Sequence, residues 1–371
     1  MKSEWSRVPL SRVAEVQTGP FGSQLHNKDY VTEGTPIVTV EHLGSRSFTT
    51  QNLPCVSEED RSRLSKYSLN TGDIVFSRVG SVDRCSYVNE ANAGWLFSGR
   101  CLRVRSTNIH PEFLYYFFCQ EQVKEYVKSI AVGATMPSIN TKLLNDVEVI
   151  LPPFAIQRKI ASILSALDDK IETNNAICRN LEEQAKCIFK NKYRAGSDFS
   201  QGTIGDVVTL QRGYDLPKSK MTKGPYPVVG STDIIAYHNE YNCDELCIVM
   251  GRSGNVGRPR FYIEKIWAHN TSLFSKSFHS AEPVWVYYAL SDIDFSLLMG
   301  GSAVPTLNRN HVHMQFLNIA PLHKQREFAN EVMPLIWMIF AKEKENRGLA
   351  TFRDNLLPKL MSGELAVESI N

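Results

Sequence analysis

Apolar side chains recur with a helical period in two long stretches of the chain. In each stretch they recur at steps of three and four residues, which is the a/d seam of a coiled coil. The first seam consists of Ile160, Leu164, Leu167, Ile171, Asn174, Cys178, Leu181, Ala185 and Ile188. The second seam, 168 residues later, consists of Phe328, Val332, Leu335, Ile339, Lys342, Asn346, Leu349, Arg353 and Leu356. Both stretches therefore predict long helices.

Shorter apolar runs separated by turn residues precede each long helix. The runs at 37–40, 74–76, 102–104 and 147–151 are bounded by Gly, Pro, Asn and Ser, which is typical of strands. Two further segments, 111–127 and 283–290, begin with proline and continue with aromatic residues, so they predict helices. The pattern predicts a mixed α/β (α+β) domain ahead of each long helix.

Five blocks of the first half return in the same order in the second half, which indicates a tandem duplication. The paired blocks are 16–19 with 210–213, 74–82 with 248–256, 115–116 with 287–288, 136–144 with 304–312, and 151–160 with 319–328. We therefore divide the chain into an α/β domain at 1–154, a helix and linker at 155–197, a second α/β domain at 198–321 and a second helix at 322–371.

The two seams carry polar residues at equivalent positions, Asn174 and Lys342. A buried polar residue at such a position usually fixes the register of a coiled coil, so we expect the helices to pair. The first helix leads into the second domain, and the second helix starts from it. The pair must then be antiparallel, giving tandem α/β domains separated by a two-helix coiled coil with pseudo-twofold symmetry. The alternative is two independent surface helices.

The chain as a whole carries almost no net charge. The 371 residues include 41 Lys and Arg and 39 Asp and Glu, a net charge of +2. The first α/β domain has 16 basic and 16 acidic residues and the second has 10 and 11, so neither is basic. Because neutralisation of phosphates supplies most non-specific DNA affinity, composition argues against strong DNA binding by the chain alone.

The cysteine spacing and the lack of glycine-rich motifs argue against secreted, membrane, zinc-binding and nucleotide-binding proteins. The spacing of the eight cysteines does not indicate a disulfide framework. The sequence also shows neither an apolar leader nor a run of about 20 apolar residues, so we expect a cytoplasmic protein that does not enter a membrane. No cysteine and histidine spacing fits zinc, and no phosphate-binding glycine loop occurs. We therefore expect neither a metal site nor a nucleotide cofactor in this chain.

Four segments together carry a family resemblance that covers nearly the whole chain. They are GDIVFSRVGSV at 72–82, MPSIN at 136–140, LPPFAIQRKIASILSALDDKIE at 151–172 and LLPKLMSGEL at 356–365. In these segments the chain resembles the specificity subunit of Type I restriction-modification systems. It departs from the pattern at Asp83, where the second copy keeps Gly257, and at Pro334, which has no proline counterpart in the first helix.

The resemblance implies a non-catalytic DNA-reading subunit. Each α/β domain would be a target-recognition domain that reads one half of a bipartite double-stranded DNA site, and the helices would set the spacer. Two methyltransferase (modification) subunits would dock on the helices, and restriction subunits would complete the nuclease. S-adenosylmethionine and ATP would then belong to the partners, and this chain would hold no cofactor.

The repeated turn segments supply all the candidate DNA-binding side chains except Arg103, which comes from a run of alternating arginines. Arginine can make bidentate contacts to guanine and asparagine to adenine, while hydroxyls and cations hold phosphates. The candidates are Ser77, Arg78, Ser81, Arg84, Arg103, Asn140, Thr141, Lys142, Arg252, Ser253, Asn255, Arg258, Arg260, Asn308, Arg309 and Asn310. Alternatively, the arginines are solvated residues of glycine turns and the two repeated asparagines are turn or cap residues. Arg100, Arg103 and Arg105 alternate, which predicts a stripe facing either phosphates or solvent.

Two functions of other classes compete with DNA recognition. One is a tandem protein-interaction scaffold that makes no contact with DNA. The other is a self-contained modification enzyme, since 151–154 (LPPF) resembles the Asn/Asp-Pro-Pro-Phe/Tyr motif of amino-group DNA methyltransferases. In that motif the Asn or Asp accepts a hydrogen bond from the target amine, and Leu151 has no such acceptor.

Overall fold

Each half of the chain folds into short strands and helices that lead into one long helix. The computed structural model describes residues 5–22, 24–300 and 306–367. The chain divides into two units: unit 1 is Met1–Glu172 with Asn346–Asn371, and unit 2 is Thr173–Glu345. Among the described residues, none of the helices combines the length and the apolar character needed to cross a membrane.

Among the residues that the structure describes, the first half contains ten strands and five α-helices. The strands are β1 (Ser6–Pro9), β2 (Ala14–Thr18), β3 (Tyr30–Val31), β4 (Thr35–Val38), β5 (Cys55–Val56), β6 (Ile74–Ser77), β7 (Cys85–Tyr87), β8 (Leu96–Phe97), β9 (Cys101–Ser106) and β10 (Glu148–Leu151). The helices are α1 (Glu58–Arg63), α2 (Pro111–Cys119), α3 (Glu121–Ile130), α4 (Thr141–Asn145) and α5 (Phe154–Ile188), and α5 continues as a π-helical turn at Phe189–Tyr193.

Eleven strands and four helices follow among the described residues of the second half. The strands are β11 (Ser200–Thr203), β12 (Val208–Arg212), β13 (Tyr226–Val229), β14 (Ile234–His238), β15 (Cys247–Gly251), β16 (Pro259–Tyr262), β17 (Trp267–Ala268), β18 (Ser272–Phe278), β19 (Met299–Gly300), β20 (Thr306–Leu307) and β21 (Phe316–Ile319). The helices are α6 (Ile204–Val207), α7 (Pro283–Ser291), α8 (Arg309–His313) and α9 (Leu322–Met361).

The same sheet is built in both units. In unit 1 an antiparallel sheet has the order β2-β9-β6-β7, and in unit 2 the order is β12-β18-β15-β16. A parallel pair also recurs, β4 with β8 and β13 with β17, as does the antiparallel pair β1 with β10 and β11 with β21. The duplication seen in the sequence is therefore a duplication of strand order.

Aromatic helices cover these sheets. In unit 1, α2 buries Phe113 and Tyr116 in the main apolar core, and in unit 2 the equivalent helix α7 buries Trp285 and Tyr288. The predicted helix 283–290 is confirmed with one more residue. The predicted single helix 111–127 is wrong, because Gln120 takes an extended conformation and separates α2 from α3. The Gln120 amide donates to the Phe117 carbonyl at 3.1 Å, so a side chain satisfies the end of α2.

A buried glutamine joins each α/β part to its long helix in the same way. In unit 1, Gln157 accepts a hydrogen bond from the backbone N–H of His110 at 2.9 Å and donates to the carbonyl of Pro152 at 2.8 Å. In unit 2, Gln325 accepts from the N–H of Glu282 at 2.9 Å and donates to the carbonyl of Ala320 at 2.7 Å. Each glutamine therefore ties the start of a long helix to the start of α2 or α7.

The predicted seam positions are all buried or half-buried along both long helices. In unit 1, Asp168 of α5 pairs with Arg353 of α9, and in unit 2 the Phe189 ring lies 5.5 Å from that of Phe328. Early residues of one helix thus face late residues of the other within each unit, so the pairing is antiparallel. Pro334 lies within α9, which the structure assigns as one helix.

Candidate nucleic-acid interface

An arginine-bearing turn follows the central strand of each antiparallel sheet. In unit 1 the turn connects β6 to β7 and closes with a hydrogen bond from the Ser77 N–H to the Arg84 carbonyl at 2.9 Å. In unit 2 the equivalent turn connects β15 to β16, and the Gly257 N–H donates to the Gly251 carbonyl at 3.0 Å. Both turns contain a glycine with positive φ, Gly80 at 75° and Gly254 at 83°, a conformation that favours glycine.

The second repeated segment is hydrogen-bonded to this turn in both units. The Ile139 N–H donates to the Arg78 carbonyl at 2.9 Å, and the Leu307 N–H donates to the Arg252 carbonyl at 2.9 Å. The structure therefore brings together the two segments from which the candidates were drawn. Val304 and Pro305, which match Met136 and Pro137 in the repeat, lie outside the described residues.

The turn of unit 1 separates its candidate residues into inner and outer ones. Arg78 is half-buried, and its Nη1 donates to the Gly99 carbonyl at 3.1 Å. Ser81 and Arg84 are exposed. Ser77 is 1% exposed, and its hydroxyl donates to the Val79 carbonyl at 2.8 Å. Ser77 therefore closes the turn from inside and presents no side chain to a partner.

Arg103, predicted on a stripe facing phosphates or solvent, lies inside unit 1 and is 6% exposed. Its Nη1 donates to the Ser68 carbonyl at 3.4 Å, and its guanidinium lies 6.0 Å from the centre of the Phe97 ring. Burial, and after it the charge of Arg105, lowers the pKa of Arg103. We exclude Arg103 from the interface because β9 points this side chain into the protein.

Arg105 is also held within unit 1, by the buried Asp73. Its Nε and Nη2 donate to the two carboxylate oxygens of Asp73 at 2.8 and 2.7 Å. The hydrogen bond to Asp73 raises the pKa of Arg105 above its ordinary value. Of the three alternating arginines, Arg100 is the exposed one.

The turn of unit 2 presents a larger set of polar side chains. Arg258 is exposed, while four other candidates are partly buried, namely Arg252, Ser253, Asn255 and Arg260. Nη1 of Arg260 lies 3.3 Å from the Asp233 carboxylate, so part of its charge is balanced within the unit. Arg252, Ser253, Asn255 and Arg258 remain the candidate contacts of this turn.

Both repeated asparagines cap short helices. The Asn140 Oδ1 accepts from the Leu143 N–H at 2.9 Å at the start of α4, and the Asn308 Oδ1 accepts from the Asn310 N–H at 2.9 Å at the start of α8. Their carbonyl oxygens therefore have the cap role that was the alternative to DNA contact. Around the caps, Lys142, Arg309 and Asn310 are exposed and Thr141 is partly buried.

The two turns differ at one position for a steric reason. In unit 1, Asp83 forms an ion pair with Lys128 of α3 at 3.1 Å. Its counterpart Gly257 has φ 76°, and a Cβ there would lie 2.7 Å from Cβ of Phe295. Unit 2 therefore requires glycine at this position, whereas unit 1 uses the position to attach α3 to the turn.

Sequence reasoning missed two exposed aromatic residues beside the turns, Phe21 and Tyr214. They follow the repeated segments 16–19 and 210–213, and 55% and 47% of their surfaces are exposed. The repeated glycine of each block, followed within two residues by an aromatic side chain, was the available signal. Within the described part of the chain, no group of His, Cys, Asp and Glu side chains is arranged to hold a metal ion.

Sequence comparisons match the chain to DNA specificity subunits. Residues 2–183 match the family model described as the Type I restriction modification DNA specificity domain. The chain is 27% identical over 309 residues to the Type I restriction enzyme MjaIX specificity subunit of Methanocaldococcus jannaschii, an alignment that covers 70% of each protein. It is 29% identical over 138 residues to the Type I restriction enzyme HindI specificity subunit of Haemophilus influenzae, covering 36% of this chain and 30% of the relative.

A solved structure extends the likeness to the fold of nearly the whole chain. The S subunit of a Type-I restriction-modification system from M. genitalium matches with a TM-score of 0.59 and 16% identity, covering 96% of both chains. The family model spans the first copy, and the fold match includes the second copy, which repeats the same sheets and the same glutamine joint. Residues 2–183 therefore belong to the family of Type I restriction modification DNA specificity domains, and the whole chain has a fold like that of a Type I S subunit.

Proposed function

We propose that this protein is the DNA-reading subunit of a Type I restriction-modification complex, in which each α/β part reads one half of a bipartite site and the long helices set the spacer. The carrying observation is the arginine turn, which is built twice and is joined in both units to the second repeated segment by the same hydrogen bond. Two copies of the arginine turn, one in each unit, are what a target with two half-sites requires.

The same proposal assigns the chemistry to partner subunits. Leu151, which stands where the methyltransferase motif has Asn or Asp, ends β10 and offers no side-chain acceptor. The carbonyls of the two following prolines have structural roles: Pro152 accepts from Gln157, and Pro153 accepts from the N–H of Ile156 in the first turn of α5. We therefore assign methyl transfer, with its S-adenosylmethionine, and ATP-dependent cleavage to modification and restriction subunits.

Charge supports a dependence on those partners for DNA binding. Neither α/β part has a basic excess, and several guanidinium groups of unit 1 are already ion-paired to its own carboxylates. Arg46 pairs with Glu112 at 2.9 Å and Arg105 with Asp73 at 2.7 Å. Because free cations supply the non-specific affinity for DNA, the chain alone should bind weakly.

A gel-shift experiment with the purified chain tests this proposal. We expect little retention of duplex DNA by the chain alone, and retention after addition of the modification subunit of the same system, with adenine methylation of a bipartite motif in genomic DNA. Absence of retention with the modification subunit present would favour the protein-interaction scaffold. Methyl transfer by the purified chain alone would favour the self-contained enzyme.

The helical regions offer a surface for the modification subunits. In unit 2, α9 exposes an apolar stripe of Pro334, Trp337, Met338 and Ala341, with Trp337 at 52% and Met338 at 49% exposure. The equivalent residues of α5 are Ala166, Asp169, Lys170 and Thr173. We propose that a modification subunit docks on the stripe of α9, and that the docking site on the other helix is more polar.

The double variant Trp337→Ala and Met338→Ala tests this docking surface, because it removes the two large apolar side chains of the stripe and introduces no charge. We expect the affinity for one modification subunit to fall about tenfold or more, since exposed aromatic anchors dominate interface energies. Native mass spectrometry of titrated complexes would then show assemblies with one modification subunit in place of two. Asn330→Ala, an exposed change two turns earlier on the same face, is the control. Unchanged stoichiometry and affinity in the double variant would contradict the assignment.

A further inference from the structure

We infer that Phe21 and Tyr214 belong to the DNA-contacting surface, each packing its ring against the duplex beside the arginine of its own unit. This inference rests on the proposed function and extends it to residues outside the arginine turns. The chemistry involved is apolar contact with deoxyribose and with base edges such as the thymine methyl group. For Phe21 the inference includes a second role, the positioning of Arg78.

The backbone that carries both aromatic residues is fixed by a glycine in close contact with a neighbouring segment. A Cβ on Gly19 would lie 2.1 Å from the Ser98 carbonyl oxygen, and a Cβ on Gly213 would lie 2.1 Å from the His269 carbonyl oxygen. The Gly19 N–H donates to the Cys101 carbonyl at 3.2 Å, and the Gly213 N–H donates to the Ser272 carbonyl at 3.0 Å. Each unit therefore holds the start of its aromatic loop against the start of β9 or β18.

The same neighbouring segments hold the arginine turns. In unit 1 the Arg78 N–H donates to the carbonyl of Arg100, two residues after Ser98, at 2.8 Å. In unit 2 the Arg252 N–H donates to the Thr271 carbonyl and the Tyr214 N–H to the Ala268 carbonyl, both at 2.9 Å. In each unit, one short segment thus accepts hydrogen bonds from both the aromatic loop and the arginine turn.

Phe21 contacts the side chain of Arg78 directly. The guanidinium carbon lies 5.6 Å from the centre of the Phe21 ring, within the range of a cation–π interaction. Nη1 of the same group donates to the Gly99 carbonyl, so the guanidinium is held from two sides. An arginine that is already oriented loses less conformational entropy when it makes a bidentate contact to guanine.

Tyr214 is oriented by its own neighbours. Its hydroxyl accepts a hydrogen bond from Nε2 of Gln211 at 2.8 Å, and its ring centre lies 6.1 Å from that of Phe274. The ring is therefore held in place while nearly half of its surface faces solvent. A fixed and exposed aromatic ring is suited to binding, because its apolar face is left uncovered and its orientation is already set when the loop folds.

Binding measurements on the assembled complex of this chain with its modification subunits test the inference. The variants are Phe21→Ala, Phe21→Tyr, Tyr214→Ala and Tyr214→Phe, and the probes are the cognate duplex and two duplexes that each carry one substituted half-site. We expect Phe21→Ala and Tyr214→Ala each to weaken cognate binding about tenfold. Each loss should disappear on the duplex whose corresponding half-site is substituted. Phe21→Tyr and Tyr214→Phe, which keep the ring, should retain binding within about threefold.

A double-mutant cycle separates the positioning role of Phe21 from a general loss of structure. Because Phe21 acts partly through Arg78, the combined Phe21→Ala and Arg78→Ala loss should be smaller than the product of the two single losses. Tyr126→Ala and Phe316→Ala, which remove exposed aromatic residues on α3 and β21, are the controls and should leave binding unchanged. Phe21→Ala should also leave discrimination within the half-site of unit 2 unchanged. Misfolding of the whole chain would instead reduce discrimination at both half-sites.

The outcomes distinguish this inference from the proposed function. If Arg78→Ala weakens binding while Phe21→Ala and Tyr214→Ala do not, the aromatic contact is wrong and DNA recognition by the turns stands. If the assembled complex does not bind the cognate duplex at all, the proposed function fails. Equal losses for Phe21→Ala on the cognate duplex and on both substituted duplexes would also overturn the inference.

Discussion

Arg78→Ala is expected to weaken binding of the assembled complex to one half of its DNA target, and Arg252→Ala to the other half. The two arginines occupy the same position of the duplicated turn, one in each unit, so each should serve its own half-site. Loss of a bidentate contact to a base edge removes about 1–3 kcal/mol of discrimination, and we expect each variant to lose an amount in this range.

Competition binding with duplexes that carry one substituted half-site measures this effect. Each variant should lose discrimination at its own half-site and keep it at the other. Arg61→Ala is a suitable control, because Arg61 is an exposed arginine on α1 that pairs with Glu58 at 2.8 Å outside the turns. Identical losses at both half-sites for the two variants would defeat the assignment of one unit to one half-site.

Asp168→Ala is expected to destabilise unit 1 by about 3 kcal/mol, because it removes the shared partner of a buried hydroxyl and a half-buried guanidinium. The Asp168 carboxylate accepts from the hydroxyl of Tyr116 at 2.6 Å and from Nη1 of Arg353 at 2.5 Å. Burial, followed by the charge of Asp168, raises the pKa of Tyr116. Burial alone lowers the pKa of Arg353, but the charges and hydrogen bonds of Asp168 and Asp354 together outweigh it and raise that pKa.

Hydrogen exchange resolves this loss within the chain. The amides of α2 and of the first half of α5 should exchange faster in the variant, while those of α7 in unit 2 should not change. Asp169→Ala is the matched control, because Asp169 is largely exposed and its partner Arg46 also pairs with Glu112, so we expect an effect below about 1 kcal/mol. Protection of α2 that is equal in the Asp168→Ala variant and the parent protein would contradict the prediction.

Local patterns predicted the repeated elements well, because the duplication doubles every signal. The seam of the long helices is a matter of spacing, and all its positions are buried or half-buried. The repeat aligns Gln157 with Gln325 in the sequence. In the structure both glutamines make the same pair of hydrogen bonds, which explains why the residue recurs. Features that recur at a constant offset can thus be found from one sequence.

The features that escaped prediction depend on contacts between distant residues. The two-residue spacing of Arg103 and Arg105 predicts that they share a face of β9, but whether that face is buried depends on Ser68 and Phe97. Similarly, the break at Gln120 depends on whether a side chain can satisfy the end of α2. Phe21 acquires its place beside Arg78 only when the loops after β2 and β6 meet.

The glutamine joint between each α/β part and its long helix bears on how such chains can change. Gln157 and Gln325 bind only main-chain groups, and the residues that supply those groups differ between the units, His110 in one and Glu282 in the other. The hydrogen bonds of this joint do not depend on which side chains the α/β part carries at the bonded residues. Recombination between genes could therefore exchange a whole α/β part at these joints and leave its connection to the long helix intact.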